Sequence, residues 1–255
     1  MKPNRLRELL KSGKPSIGTR VDIVWPGIVE VIGHTGLFDY VEFLGEYAPF
    51  GLQDLDNFAM AAMIKVDQDP RIFLAQRAIG SGFQAINFAD CRSAEDVRHC
   101  VRIVRPETPE DGGLYGVGAR RFAFMGQAGS PDYVQALRDV VIMVMIEKGS
   151  TVAQLEEVLS VPGLDMVQWG ASDYSMSIGR AGQRNHPDVT AAHDKVFQMA
   201  LRAGVQPRVE IGNVDQAKRY LDMGVRHFSL STDIYILYSW WREYGENLRK
   251  ALEGY

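Results

Sequence analysis

VVIMVMIE at residues 140–147 and MVQWGASD at residues 166–173 are two apolar runs that each close on a carboxylate, Glu147 and Asp173. Val, Ile and Met in sequence, without alternation, read as strands buried on both faces, the mark of a parallel sheet. Between them, Ser150 and Thr151 followed by Glu156 and Glu157 predict one amphipathic helix. A strand–helix–strand unit lays its strands side by side, about 4.8 Å apart. Carboxylates at the two carboxyl ends then come within reach of one cation, for which Mg²⁺–oxygen distances are about 2.0–2.1 Å. Positions left open on such an ion suit a chelating substrate and water. The competing reading is that both acids only cap helix starts or pair on the surface.

Outward from this unit the pattern repeats. Strand-like runs fall at residues 16–21, 40–44, 63–66, 85–89, 140–146, 166–169, 206–211 and 227–231, mostly separated by helical stretches. Eight alternations predict an α/β chain folded as a (β/α)₈ TIM barrel, with the site at the strand carboxyl ends. Gly36, Gly82, Gly163, Gly204 and Gly224 each stand between a helical stretch and a strand, as left-handed helix ends require. Residues 106–131, rich in Gly and Pro, predict loop structure over the barrel mouth. Near residue 62 a helical pattern beginning at Leu52 runs straight into a strand, where about 2–6 connecting residues are usual. Either that helix is short or the chain lacks a connecting segment between Ala62 and Met63.

A chain of 255 residues fits a single barrel domain spanning residues 1–255. The net charge of −4, with Lys and Arg scattered, argues against nucleic acid as the main partner. The amino terminus does not resemble a signal peptide, and no apolar run is long enough to cross a membrane. Cys91 and Cys100 are too few for a disulfide scaffold and lack zinc-site spacing. These features predict a cytoplasmic protein.

Several motifs converge on one family. Gly45-Glu46-Tyr47-Ala48-Pro49 follows the second strand, Ile146-Glu147 ends the fifth, and Gly163-Leu164-Asp165 precedes the sixth. Gly170-Ala171-Ser172-Asp173-Tyr174-Ser175 is followed by Ser177-Ile178-Gly179, and His186-Pro187 opens the next helix. Over nearly its whole length the chain resembles the class II pyruvate aldolases of the HpcH/HpaI aldolase/citrate lyase superfamily. The resemblance implies a barrel of the phosphoenolpyruvate/pyruvate-binding type, usually a homo-hexamer in which the last helix swaps onto a neighbour. It implies a divalent ion, Mg²⁺ or Mn²⁺, held by Glu147 and Asp173 and chelated by the carboxylate and carbonyl oxygens of a 2-oxo acid. The activity implied is that of a carbon–carbon lyase joining a pyruvate-type enolate donor to an aldehyde acceptor. Such chemistry needs positive charge at the donor carbonyl, which a Lewis-acidic ion provides. Backbone N–H groups of Gly170, Ala171 and Ser172, where the chain turns into a helix, would hold the substrate carboxylate. Glu46 matches a family acid beside the metal, in reach of an ion-coordinated water.

The match is uneven where protons move. Tyr47 stands where the family has a histidine, and Gly80 stands where it has that histidine's aspartate partner. Lys65 replaces an arginine that contacts the substrate's oxo group, keeping the charge but not the planar fork. Leu44 replaces a further aspartate. Tyr47 could transfer protons if a nearby cation lowered its pKa from about 10; metal-bound water could do so instead, leaving Tyr47 as a pocket wall. Lys65 also admits a Schiff-base reading. The two functional readings are thus a metal-dependent aldolase, with Glu46, Tyr47 and Lys65 catalytic, and a family member with a remodelled pocket that only binds a 2-oxo acid or has another role.

Other residues read as structural. His34 suits a packing or capping role, His99 and His193 fall on helix surfaces, His186 opens a helix, and His227 opens a buried strand. Arg120 and Arg121 either bind an acidic part of an acceptor or are simply solvated. Residues 234–253 form a last helix too aromatic for a free surface, with Tyr235, Tyr238, Trp240, Trp241 and Tyr244 on more than one side. This helix is expected at the oligomer interface.

Overall fold

The computed structural model describes residues 3–58, 62–118 and 126–253. Among them eight parallel strands close a barrel in chain order: β1 Ser16–Val21, β2 Tyr40–Leu44, β3 Met63–Val66, β4 Ala85–Phe88, β5 Val141–Ile146, β6 Met166–Trp169, β7 Gln206–Ile211 and β8 His227–Thr232. Strands β2 to β5 are buried at every position, which explains why their sequences do not alternate. Outward-facing Phe43, Ile86, Phe88, Val144 and Val167 pack with Phe58, Leu74, Val97 and Phe197 of the surrounding helices. Cutting back one such buried Phe to Ala would cost about 3–5 kcal/mol. The helices before β4, β7 and β8 end on left-handed Gly82, Gly204 and Gly224.

The barrel interior is layered. Its amino-terminal end is filled by Leu6, Tyr40, Met63, Ala85, Val141, Met143 and Met166. Leu6 comes from the helix Arg5–Lys11, capped by Asn4. Arg7 on that helix grips both oxygens of Asp165, at 2.5 and 2.6 Å. Above lies a polar layer: Arg208 and Glu42, both fully buried, pair at 2.5 Å. Gln168 accepts from Arg208 Nε, and Asn87 donates to Glu42 Oε1 at 2.9 Å. Removing Arg208 alone would strand the Glu42 charge, at a cost of about 3–5 kcal/mol.

Register then sets the mouth. Pairing of Ile146 with Trp169 sends Glu147 and Gly170 off the sheet as neighbours. Leu44 lies opposite Lys65, so the Gly45-Glu46-Tyr47 turn emerges beside that lysine.

Three local expectations need correction. The β5–β6 connection is two five-residue helices, Gly149–Ala153 and Leu155–Leu159, broken at Gln154. Lys148, not Ser150 or Thr151, holds the cap position, because the Thr151 hydroxyl donates instead to the Cys91 carbonyl. The described parts of 106–131 pack on the barrel flank: Leu114 N–H donates to Arg102 O, and Tyr115 Oη to Gln76 O. None of these described parts lines the cavity at the strand carboxyl ends, and residues 119–125 lie outside the described residues. Near residue 62, the helix is described over Leu52–Phe58; residues 59–61, where the junction with β3 falls, lie outside the described residues, as do Arg120 and Arg121. No helix among the described residues is long and apolar enough to cross a membrane.

Candidate active site

The strand carboxyl ends surround a cavity of about 370 Å³ lined by Tyr47, Lys65, Glu147, Gly170, Ala171, Ser172 and Asp173. Every sequence-predicted site residue except Glu46 lines it, and Glu46 reaches it through Lys65. Glu147 is only 3% exposed. Its Oε1 accepts the Asp90 backbone N–H at 2.8 Å, and no hydrogen bond reaches Oε2 among the described residues. Burial holds the Glu147 pKa above the ordinary glutamate value, and neighbouring Asp173 pushes the same way, against the Asp90 N–H and Lys65. Gly170 must lack a side chain here, because a Cβ would overlap the Glu147 carboxylate. Glu147 and Asp173 both line the cavity, with Asp173 Oδ1 accepting from Lys148 Nζ at 3.0 Å; no group of three or more His, Cys, Asp or Glu that could hold a metal forms among the described residues.

Across the cavity the charges interlock differently. Lys65 Nζ pairs with Glu46 Oε2 at 2.6 Å and donates to Tyr47 Oη at 2.8 Å. Burial opposes the lysine's charge, but the tyrosine oxygen and the Glu46 carboxylate outweigh it, and the ammonium stays protonated well above the usual lysine range. A protonated amine is no nucleophile, which disfavours the Schiff-base reading. Tyr47 is 59% exposed, yet its hydroxyl end is tucked against Lys65. Desolvation raises its pKa above the usual tyrosine value despite the adjacent ammonium. The lowered pKa needed for Tyr47 to act as a base is therefore absent, and the hydroxyl keeps its proton at neutral pH.

Sequence reasoning missed several residues here. His193 is not a surface residue: it is 8% exposed, ringed by Trp169, Phe197 and Tyr220, and lines the cavity. Burial lowers its pKa, so the ring is held neutral. Its helical spacing with Val189, Val196, Phe197 and Ala200 was the available signal. Asp90 and Lys148 were also passed over. Asp90 follows β4 as Glu147 follows β5, the same strand-then-acid pattern. Arg20, paired with Glu210 at 2.7 Å, and exposed Arg184 complete the rim.

The family model for HpcH/HpaI aldolase/citrate lyase matches residues 51–238, most of the barrel. The chain belongs to the HpcH/HpaI aldolase/citrate lyase family. Over 242 residues it is 27% identical to a 4-hydroxy-2-oxo-heptane-1,7-dioate aldolase of Klebsiella pneumoniae, covering 92% of this chain and 89% of that one. An enzyme of the same name from Shigella flexneri is 28% identical over the same shares. The crystal structure of an HpcH/HpaI aldolase/citrate lyase family protein from Burkholderia cenocepacia superposes with a TM-score of 0.85 at 26% identity, covering 97% of this chain and all of that one. Within this family the chain is a lyase of the class II aldolase kind, acting on small molecules.

Proposed function

We propose that this HpcH/HpaI family member makes or breaks a carbon–carbon bond between a pyruvate-type 2-oxo acid donor and an aldehyde, with Mg²⁺ or Mn²⁺ between Glu147 and Asp173. The observation that carries this reading is Glu147. It is a buried carboxylate with one oxygen fixed by the Asp90 N–H, the other without a hydrogen bond among the described residues, and a glycine that leaves it room. Two protein carboxylates fit Mg²⁺, which keeps most of its sphere for substrate oxygens and water. When bound, such an ion supplies positive charge at the donor's carbonyl oxygen and eases removal of the α-proton.

The chain's own residues do the rest. The backbone amides of Ala171 and Ser172, at the start of the helix Ala171–Ser177, are suited to the donor carboxylate, whereas the Gly170 N–H expected beside them is donated to the Ile146 carbonyl at 3.1 Å. Lys65, fixed by Glu46, supplies a second positive charge across the cavity in place of the family arginine. Tyr47 holds a proton at Oη beside that ammonium and is suited to deliver it to oxygen as charge develops there, acting as an acid. Trp169, His193 and Phe197 give the acceptor side an apolar wall that excludes water.

We infer further that the chain is one domain assembled as a homo-hexamer through the helix Asp233–Leu252. Tyr235, Tyr238, Trp240, Trp241 and Tyr244 on it are each more than half exposed in the single chain, an apolar surface of the kind association covers. Its two buried free thiols suit the cytoplasm. Light scattering is expected to give a hexamer for the intact chain and a smaller species after truncation before Ile234; a monomeric intact chain, or equal assembled masses, rejects the assembly.

Solvent isotope exchange at the pyruvate methyl group tests the chemistry. Exchange that needs Mg²⁺ or Mn²⁺ is the expected result, and metal-independent exchange, or none with any 2-oxo acid, rejects the proposal.

A further inference from the structure

Asp90 is one of two non-glycine residues with left-handed backbone among those described, at φ 54°. Such a conformation costs an ordinary residue about 1 kcal/mol or more and persists only where surroundings enforce it. Here they do. The Ala89 carbonyl accepts from Arg71 at 2.8 Å, Ala89 N–H is held by Val66 O, and the Cys91 carbonyl is held by Thr151. The result is that Asp90 turns its N–H onto Glu147 Oε1 at 2.8 Å and its carboxylate onto Lys148 Nζ at 2.5 Å. The same ammonium donates to Asp173 Oδ1 at 3.0 Å. One residue pair therefore touches both carboxylates of the proposed cation site while lying outside the cavity lining.

We propose that Asp90 and Lys148 are positioning residues that set how tightly Glu147 and Asp173 hold a divalent cation. Lys148 competes for Asp173, and Asp90 retains the ammonium when Asp173 lets go. This inference rests on the cation site proposed above. Lys148 can release Asp173 without becoming an unpaired buried charge, because its shorter contact is to Asp90. The two partners push in opposite directions. Removing the ammonium adds net negative charge beside the site and frees Asp173; removing the Asp90 charge subtracts negative charge and leaves Lys148 wholly on Asp173.

Isothermal titration of the full chain with Mn²⁺ alone, without substrate, tests this. Lys148→Met is expected to tighten Mn²⁺ binding about tenfold, the ammonium's repulsion being gone. Asp90→Asn is expected to weaken it about tenfold, the usual scale for losing a supporting partner. Asn adopts left-handed backbone readily, so the Glu147 anchor survives. Lys148→Arg should stay near wild type, and Lys148→Gln carries the same expectation as Lys148→Met should the latter fold poorly. A purely structural role would weaken binding in every variant. Weakening by both charge-removing variants, or no change in either, overturns the proposal. Glu147→Gln in the same series separates the two levels: loss of binding there with like-signed effects of Asp90 and Lys148 rejects only the tuning. Mn²⁺ binding unaffected by Glu147→Gln, or absent from wild type, rejects the cation site and the tuning with it.

Discussion

At the amino-terminal end of the barrel Arg7 closes on both oxygens of Asp165 and on the Asp139 and Val140 carbonyls, whereas at the carboxyl end Glu147 keeps one oxygen without a hydrogen bond from any described residue. At the closed end this ion pair lies beside a plug of Leu6, Met63, Met143 and Met166. The open end gathers Glu46, Lys65, Asp90, Glu147, Lys148 and Asp173 within a few contacts of one another and leaves acceptor capacity facing a cavity. The contrast is between charge used to hold the chain together and charge held ready for something else. If it is right, substitutions at the mouth change activity and spare stability, and those at the closed end do the reverse.

The largest effect is expected at Glu147. Glu147→Gln keeps the shape and the Asp90 contact, so unfolding in urea should shift little. Metal-dependent exchange should fall about 10³-fold or more, since Lewis-acid stabilisation contributes several kcal/mol. Retained exchange would break the comparison at its most important point. Next is Arg7→Ala, which removes two charged hydrogen bonds from Asp165 but leaves it Arg105 at 3.6 Å and the Ile142 N–H at 2.9 Å; it should lower stability by about 2–3 kcal/mol, with kcat unchanged. A fall in kcat without a shift in the urea midpoint would show that the closed end is not merely structural.

The sequence made the barrel legible because double-sided burial writes itself as unbroken runs of Val, Ile and Met, as in β5. The strand-end position of Glu147 followed directly from it, whereas Asp173 lies in the first turn of the helix Ala171–Ser177, four residues past the end of β6. Partners across the barrel did not follow. Nothing near Glu42 in the sequence announces Arg208, and nothing near Lys148 announces Asp90, because register and closure bring them together. The described parts of the Gly- and Pro-rich stretch after Val104 are irregular before the helix that opens at Pro131, but composition does not say which end of a barrel such a segment packs on. His193, inside a helix, reads as a surface residue until the apolar face it shares with Val196 and Phe197 is counted.

Tyr47→Phe refines the mouth itself. Removing only the hydroxyl should reduce carbon–carbon bond formation or cleavage about 10²-fold, the common scale of a general acid, with stability unaltered. Its weight should fall on turnover more than on KM for the donor. An unchanged kcat would assign proton delivery elsewhere and reduce Tyr47 to a wall beside Lys65.

The smallest effect lies at the closed end and is read by pH. His227 opens β8, is 3% exposed, and shares a hydrogen bond of 2.9 Å between Nδ1 and the Ser16 hydroxyl. Burial alone lowers its pKa from 6.5 to about 4. The folded protein thus resists a proton that the unfolded chain accepts, so stability falls as pH drops from about 6.5 toward about 4 and is constant with respect to this group above 6.5. At pH 5.5 the loss from His227 should be about 1.4 kcal/mol, one pH unit of linkage. His227→Gln keeps hydrogen-bonding capacity but cannot titrate, so the difference between wild-type and variant urea midpoints should shrink on acidification over this interval. A constant difference would mean that His227 is protonated alike in both states, and the closed end would then be less dry than its packing implies.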